Sequence, residues 1–209
     1  MTKQERAART RRELMRAAAT LFERSGFSRT TLSDICRLVG VSSGALHFHF
    51  ENKAALAEAI EGEAATTLSR LAMGIRPEAA GSLQRLVDVS HALAAELRDN
   101  VVIRAGFRLN DDVSRCGDLR LRQQWQQHVQ GLLTAAEAER SLARDVPLQQ
   151  AVSVVTAATA GLDVLSRRDP EWLSRRSLSG LWALLLPRLA DADVLDRLDP
   201  AGTRTLCRS

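Results

Sequence analysis

The segment from Thr31 to Phe50, TLSDICRLVGVSSGALHFHF, constrains this chain more than any other stretch. Thr31 and Asp34 form a Thr-x-x-Asp box, in which each side chain can accept a backbone N–H at the start of a helix. Leu32, Ile35, Leu38 and Val39 follow at helical spacing, and Gly40 stands where a helix ends in a left-handed residue. Val41 is expected as a buried plug in the turn, and Ser42 as the cap of a second helix that begins at once. Ser43, Gly44, Ala45 and His47 keep the first turns of that helix short, while Leu46 and Phe50 anchor it to a core. Two short helices about a Gly turn are the sequence form of a helix-turn-helix, whose second helix lies in the DNA major groove. An αα-hairpin with no nucleic-acid partner has the same outline.

Charge bears on that choice. Residues 1–53 hold ten Lys and Arg against five acids, a balance of +5 in a chain whose net charge is +4, so the remainder carries −1. A basic segment alone is usually a solvated face, but beside a reading helix it becomes a phosphate-binding footprint. Arg6, Arg9, Arg11 and Arg12 lie in the first turns of an amphipathic helix predicted for about Gln4 to Ser25. Its inner face is Leu14, Ala17, Ala18, Leu21 and Phe22, and Gly26 stops it.

The rest of the chain also reads as helices. At 209 residues it can bury a core, and the absence of Tyr with abundant Ala, Leu, Arg, Gln and Glu favours helix over sheet. Asn52 is expected to cap a helix to about Met73, before a break from Gly74 to Gly81. Ser82 caps the next helix to about Arg98, Val101 to Leu109 forms a short one, and Asp111 to Asp118 is a polar loop. Further helices are predicted from Arg120 to Arg140, from Pro147 to about Ser166, and from Pro170 to about Leu189. The last two are apolar on more than one side, which exceeds what covering one small core requires.

Several function classes lack their residues. There is no Gly-rich phosphate loop, no His-Glu-x-x-His and no Gly-x-Ser-x-Gly. Cys36, Cys116 and Cys207 are widely spaced, so neither a disulfide frame nor a zinc site is expected. His47 and His49 fall on different helix faces, and His91 and His128 have apolar neighbours suited to satisfied polar residues or pocket lining. No catalytic residue, metal or cofactor is expected. No apolar run reaches bilayer-spanning length and no signal peptide is apparent, so a cytoplasmic protein without a membrane partner is expected.

Phe22, Gly26, Phe27, Thr30, Thr31, Ile35, Gly40, Val41, Gly44, Leu46, the run His47-Phe48-His49-Phe50 and Lys53 together resemble the amino-terminal signature of the TetR family of bacterial repressors, over about residues 10–60. The run Arg104-Ala105-Gly106 with Arg108-Leu109 is similar to one in the γ-butyrolactone autoregulator receptors, a subfamily. This resemblance implies an all-α homodimer: a helix-turn-helix DNA-binding domain over 1–52, a ligand-binding and dimerisation domain over 53–190, and a loosely ordered tail over 191–209. Double-stranded operator DNA would be met by Arg9, Arg11, Arg12, Thr30, Thr31, Ser42, Ser43, Gly44, Ala45, His47, Phe48, His49 and Lys53.

By the same resemblance, the last two helices of each protomer form a four-helix bundle, with Val154, Ala158, Leu162, Leu178, Leu181, Trp182 and Leu185 facing the partner. Trp125 is either core filler or the wall of an effector cavity, and the subfamily, in which a Trp of this region lines the cavity, favours the second. Leu86, Phe107, Val129, Val155 and Thr159 are expected beside it. The chain departs from the family pattern in three places. No Pro precedes the Trp125 helix between Asp111 and Arg122, His47 replaces a usual Tyr, and Ser43 stands where close relatives carry Lys. The expected function is a repressor released from a palindromic operator by a small apolar effector, such as a γ-butyrolactone-like signal. The alternatives are a DNA-binding or architectural protein with a vestigial pocket, and a helical enzyme.

Overall fold

A computed structural model describes residues 2–74, 81–111 and 121–203. Ten α-helices are present among them: α1 (Lys3–Ser25), α2 (Leu32–Val39), α3 (Ser43–His49), α4 (Lys53–Gly74), α5 (Gly81–Asp99), α6 (Val101–Asn110), α7 (Leu121–Ala138), α8 (Leu148–Ser166), α9 (Arg175–Leu189) and α10 (Ala192–Leu195). The extended contact among the described residues is a single bridge, Leu142 to Ala190. The expected break at 74–81 falls largely outside the described residues, as do the loop after Asp111, Cys116 and Cys207. Cys36 is a buried free thiol.

The chain divides into two units, Met1–Thr67 with Asn100–Leu121, and Leu68–Asp99 with Arg122–Ser209. The packing boundary does not fall at residue 52, since the first unit also takes most of α4 and all of α6. Its core is one cluster, with Leu14, Ala18 and Phe22 of α1, Ile35 of α2, Leu46 and Phe50 around α3, Leu56 and Ile60 of α4, and Val102, Ala105 and Leu109 of α6.

The α6 run singled out in the sequence now has a physical account. Glu23 of α1 accepts from Arg104 Nε at 2.7 Å and pairs with Arg108 at 3.0 Å, so one partly buried carboxylate holds two turns of α6. Between those arginines, a Cβ on Gly106 would stand 2.7 Å from the Ala64 Cβ and 3.1 Å from the Ile60 carbonyl oxygen. Only a residue without a side chain allows α6 this close to α4.

In the second unit Glu139, just past α7, accepts from Ser82 N at 2.8 Å and from its hydroxyl at 2.5 Å, satisfying an orphan donor at the start of α5. Of the segment expected as a loose tail, 191–209, residues 191–203 are described and are tied to the second unit by specific hydrogen bonds, while the remainder lies outside the described residues. Gln84 exchanges hydrogen bonds with both backbone groups of Asp199, and Asp88 accepts from the N–H and hydroxyl of Thr203 at 2.8 and 2.7 Å. His91 pairs with the Pro200 carbonyl, and Arg175 donates to that of Gly202. Buried polar groups on α5 thus find their partners in this segment. Burial holds the His91 imidazole below its ordinary range.

Two expectations about the last helices are corrected. Pro170–Leu173 is a separate 3₁₀ turn, after which Ser174 caps α9 afresh by accepting from Ser177 N. Leu178 and Trp182 are buried within their own protomer, Trp182 at 0 % exposure, because their side of α9 packs inward. They therefore have no surface to offer a partner. Leu165 of α8 is half exposed. Against the sequence expectation, α8 also has the length and apolar content of a membrane-crossing helix. Its buried Asp163, paired with Arg122 at 2.6 Å, and its half-exposed Val154, Val164 and Leu165 fit a protein interface better.

Candidate nucleic-acid interface

Each turn of the helix-turn-helix is set by a local contact. Thr31 Oγ1 accepts from Asp34 N at 3.2 Å and Asp34 returns an acceptor to Thr31 N, closing the capping box at α2. Gly40 ends α2 at φ 77° and ψ 33°, left-handed geometry that a side chain would strain, and its N–H reaches the Cys36 carbonyl at 2.8 Å. Val41, expected fully buried, is only partly so. Ser42 then caps α3 by accepting from Ala45 N at 3.2 Å. Leu46 and Phe50 are buried beneath α3 and turn its opposite face outward. Asn52 starts α4, accepting from Ala55 N at 2.9 Å.

That outward face carries Ser42, Ser43, Gly44, His47 and Phe48, all exposed, with Ala45 and His49 at its margins. Nothing but the Ser42 hydroxyl lies within 4 Å of where a Gly44 Cβ would stand, so the backbone there is open to a close approach. His47 Nδ1 lies 3.1 Å from the Glu51 carbonyl, which orients the ring. Phe48 is 77 % exposed and meets His49 edge-on at 5.0 Å. Thr31, Arg9, Arg11 and Arg12 are exposed as well. Arg9 is paired with Glu13 at 2.8 Å, and Arg11 lies 5.0 Å from the Phe50 ring centroid, which ties the basic helix to the base of α3.

Two residues assigned to this surface are engaged by the fold itself. Thr30 is buried, its hydroxyl donating to the Gly26 carbonyl at 2.9 Å. Lys53 Nζ lies 2.8 Å from the Phe27 carbonyl, 2.9 Å from that of Thr30 and 3.4 Å from that of Ser28, above the Phe27 ring. An ammonium has three donors, and here all three face the loop between α1 and α2. Lys53→Met is therefore expected to lower the melting temperature while leaving the salt dependence of DNA binding unchanged. Arg12→Ala is expected to do the reverse, reducing the slope of log affinity against log salt by about 0.9. Parallel melting curves and binding titrations compare the two, and a Lys53→Met protein of normal stability with a shallower slope would return that lysine to the phosphates.

Of the residues proposed for an effector, Trp125, Leu86, Val129 and Val155 are buried in the second unit, with Thr159 partly buried. Trp125 Nε1 donates to Thr159 Oγ1 at 2.8 Å, which joins α7 to α8. Phe107 is buried as well, on α6 of the first unit. Ala158, Leu162, Leu181 and Leu185 are partly exposed, and Val154 is half exposed. Leu184 at 80 % exposure went unassigned in the sequence. Glu23 was missed too, since its arginines lie 81 or more residues away and no local pattern signals them. Among the described residues no group of three His, Cys, Asp or Glu gathers as a metal site.

A left-handed Gly turn between capped helices, a reading face held out by Leu46 and Phe50 and a basic helix beside it define a helix-turn-helix transcriptional regulator. Residues 14–60 match the profile of the bacterial regulatory proteins, tetR family. The A-factor receptor protein of Streptomyces griseus is 30 % identical over 204 residues, spanning 97 % of this chain and 71 % of that one. The chain belongs to the TetR family. Among solved structures, a γ-butyrolactone receptor described as an ArpA-like protein has a TM-score of 0.81 at 28 % identity, covering 94 % of this chain and 96 % of its own. CprB of Streptomyces coelicolor, solved with its biological operator sequence, has a TM-score of 0.77 at 29 % identity, covering 92 % and 94 %.

Proposed function

We propose that this regulator is a homodimeric repressor that holds a palindromic operator through α3 and the basic face of α1, and releases it when a small, largely apolar effector of the butyrolactone kind enters the second unit. The observation that carries the DNA half is the outward face of α3, polar and small at Ser42, Ser43 and Gly44. A relative named as an A-factor receptor and neighbours named as γ-butyrolactone receptors support the effector half. The mechanism is linkage: an effector that prefers the conformation with misplaced reading heads weakens operator affinity by the factor by which operator weakens effector affinity. The chain passes between its two units at Thr67–Leu68, Asp99–Asn100 and Leu121–Arg122, which fall within α4, between α5 and α6, and at the start of α7. The test is operator release by a γ-butyrolactone in a gel-shift titration. Release at no concentration would leave a DNA-binding protein with a vestigial pocket, a reading favoured by the indole N–H of Trp125 being already satisfied by Thr159.

The partner-facing surface is read from the apolar residues that α8 and α9 leave exposed, Val154, Val164, Leu165 and Leu184. Leu184→Glu places a charge on a side chain that the protomer does not bury, so the protomer should fold normally while the dimer separates. Sedimentation of that variant at micromolar concentration decides it, and an intact dimer would move the interface elsewhere.

A further inference from the structure

On the outward face of α3, the two ring nitrogens of His47 stand in different circumstances. Nδ1 lies 3.1 Å from the Glu51 carbonyl oxygen, one turn further along the chain. A carbonyl oxygen only accepts, so this contact places the ring hydrogen on Nδ1. An uncharged imidazole has one such hydrogen, which leaves Nε2 as a bare acceptor. Nε2 has no protein partner among the described residues, and the side chain is exposed. While the Glu51 contact lasts, the ring can donate outward only by taking up a second proton.

The charged groups of the elements around α3 are bound into the fold. Arg11 of α1 lies over the Phe50 ring, Asp34 of α2 holds Thr31 and Arg37, Lys53 of α4 faces three carbonyls, and Arg104 and Arg108 of α6 close on Glu23. On its own segment Glu51 is exposed, and His49 meets Phe48 edge-on. None of these side chains bonds the His47 ring, so what docks on α3 has the deciding influence on its charge. A phosphate oxygen is anionic and only accepts: it is repelled by the lone pair of a neutral ring and forms a charge-assisted hydrogen bond with an imidazolium.

We propose that His47 docks on an operator phosphate as an imidazolium, so that each reading head takes up a proton when it binds DNA. This rests on the operator reading above and adds to it the protonation state of one contact. The amino-terminal residues of a reading helix meet base edges, here Ser43 and Gly44, and His47 lies one turn beyond them on the same exposed face. It is therefore placed for the backbone, where half or more of protein–DNA hydrogen bonds are made. The phosphate favours the charged ring, so operator affinity is greatest below the pH at which a free imidazole titrates, ordinarily about 6.5. It falls as pH rises towards the titration of the bound ring.

The probe is a duplex selected by the wild-type protein from a random-sequence pool, titrated by calorimetry at about pH 7 in two buffers of different ionisation enthalpy. The difference in heat gives the protons exchanged, and wild type is expected to take up between about one half and one per protomer. Between about pH 6 and about pH 8 it should lose about tenfold in affinity and about 0.9 in salt slope per protomer. His47→Gln and His47→Arg should each abolish the uptake, while His47→Arg, whose charge is fixed, should keep at the higher pH the affinity that wild type shows only at the lower. His49→Gln should retain the uptake, and melting curves confirm that each variant is native. No uptake by wild type, or an uptake that His47→Gln retains, overturns the imidazolium contact while leaving operator binding standing. Uptake with a salt slope unchanged by pH would set the proton against a base edge and overturn the phosphate contact. If the pool yields no bound duplex, the operator reading fails and the proposal fails with it.

Discussion

Replacing Gly106 with Val is expected to prevent α6 from seating on α4 and to abolish operator binding, although the residue lies far along the chain from the reading helix. The nearest atoms to a new Cβ are the methyl of Ala64 at 2.7 Å and the backbone oxygen of Ile60 at 3.1 Å, neither of which can swing aside. Relief therefore requires α6 to lift, which stretches the pairs from Glu23 to Arg104 and Arg108 and opens the cluster around Val102, Ala105 and Leu109. Overpacking a well-filled core costs about 1–3 kcal/mol, a large part of the stability of a small domain, and the branched Val adds a second clash. Gly106→Ala should show the lower end of that range. Gly62 on α4 provides the control, because nothing lies within 4 Å of its added Cβ, and Gly62→Ala should stabilise by about 0.5–1 kcal/mol through helix propensity alone. Thermal melts and operator titrations of the three variants are the measurement. A Gly106→Ala protein as stable as wild type would show that the close approach of α6 has no energetic weight.

What the sequence made legible, and what it hid, follows from the range of the interactions involved. The Thr31–Asp34 box, the Gly40 turn, the Ser42 cap and the Asn52 cap all close within four residues, so the residue types alone announce them. Lys53 was visible as a cation near the reading helix, but the carbonyls it faces lie 23 to 26 residues back, and only the fold reveals that they occupy its donors. Residues 191–203 show the same limit: their Asp-rich composition suggests a solvated tail, whereas the partners of Asp199 and Thr203 on α5 stand 115 residues earlier. On α9 apolar residues occur on every side, so periodicity alone does not choose between Trp182 turned inward and Leu184 turned outward. Pro170 is equally at home in the first turn of a 3₁₀ or an α-helix, and it was Ser174, a good cap four residues on, that divided the predicted helix in two.

Operator binding and effector response are expected to separate at Trp125, and the contrast between two substitutions there tests whether the second unit senses a ligand at all. The indole is 3 % exposed, and its N–H bonds Thr159, whose hydroxyl in turn donates to the Val155 carbonyl. Trp125→Ala removes a large buried side chain and should cost about 3–5 kcal/mol, enough to damage both activities if the residue serves only as core. Trp125→Phe keeps most of the packing. It removes the donor to Thr159 while leaving that hydroxyl its bond to Val155, so the loss should be about 1 kcal/mol and operator affinity without effector should stay normal. If the indole forms the flat wall against which the effector lies, release of Trp125→Phe from operator should need about tenfold more effector, and Trp125→Ala should not release at any concentration at which it remains folded. Melting curves identify the concentrations and temperatures at which each variant is native, and gel-shift titrations with effector give the release midpoints. Normal midpoints in both folded variants would make Trp125 a packing residue and remove the structural basis for effector entry between α7 and α8.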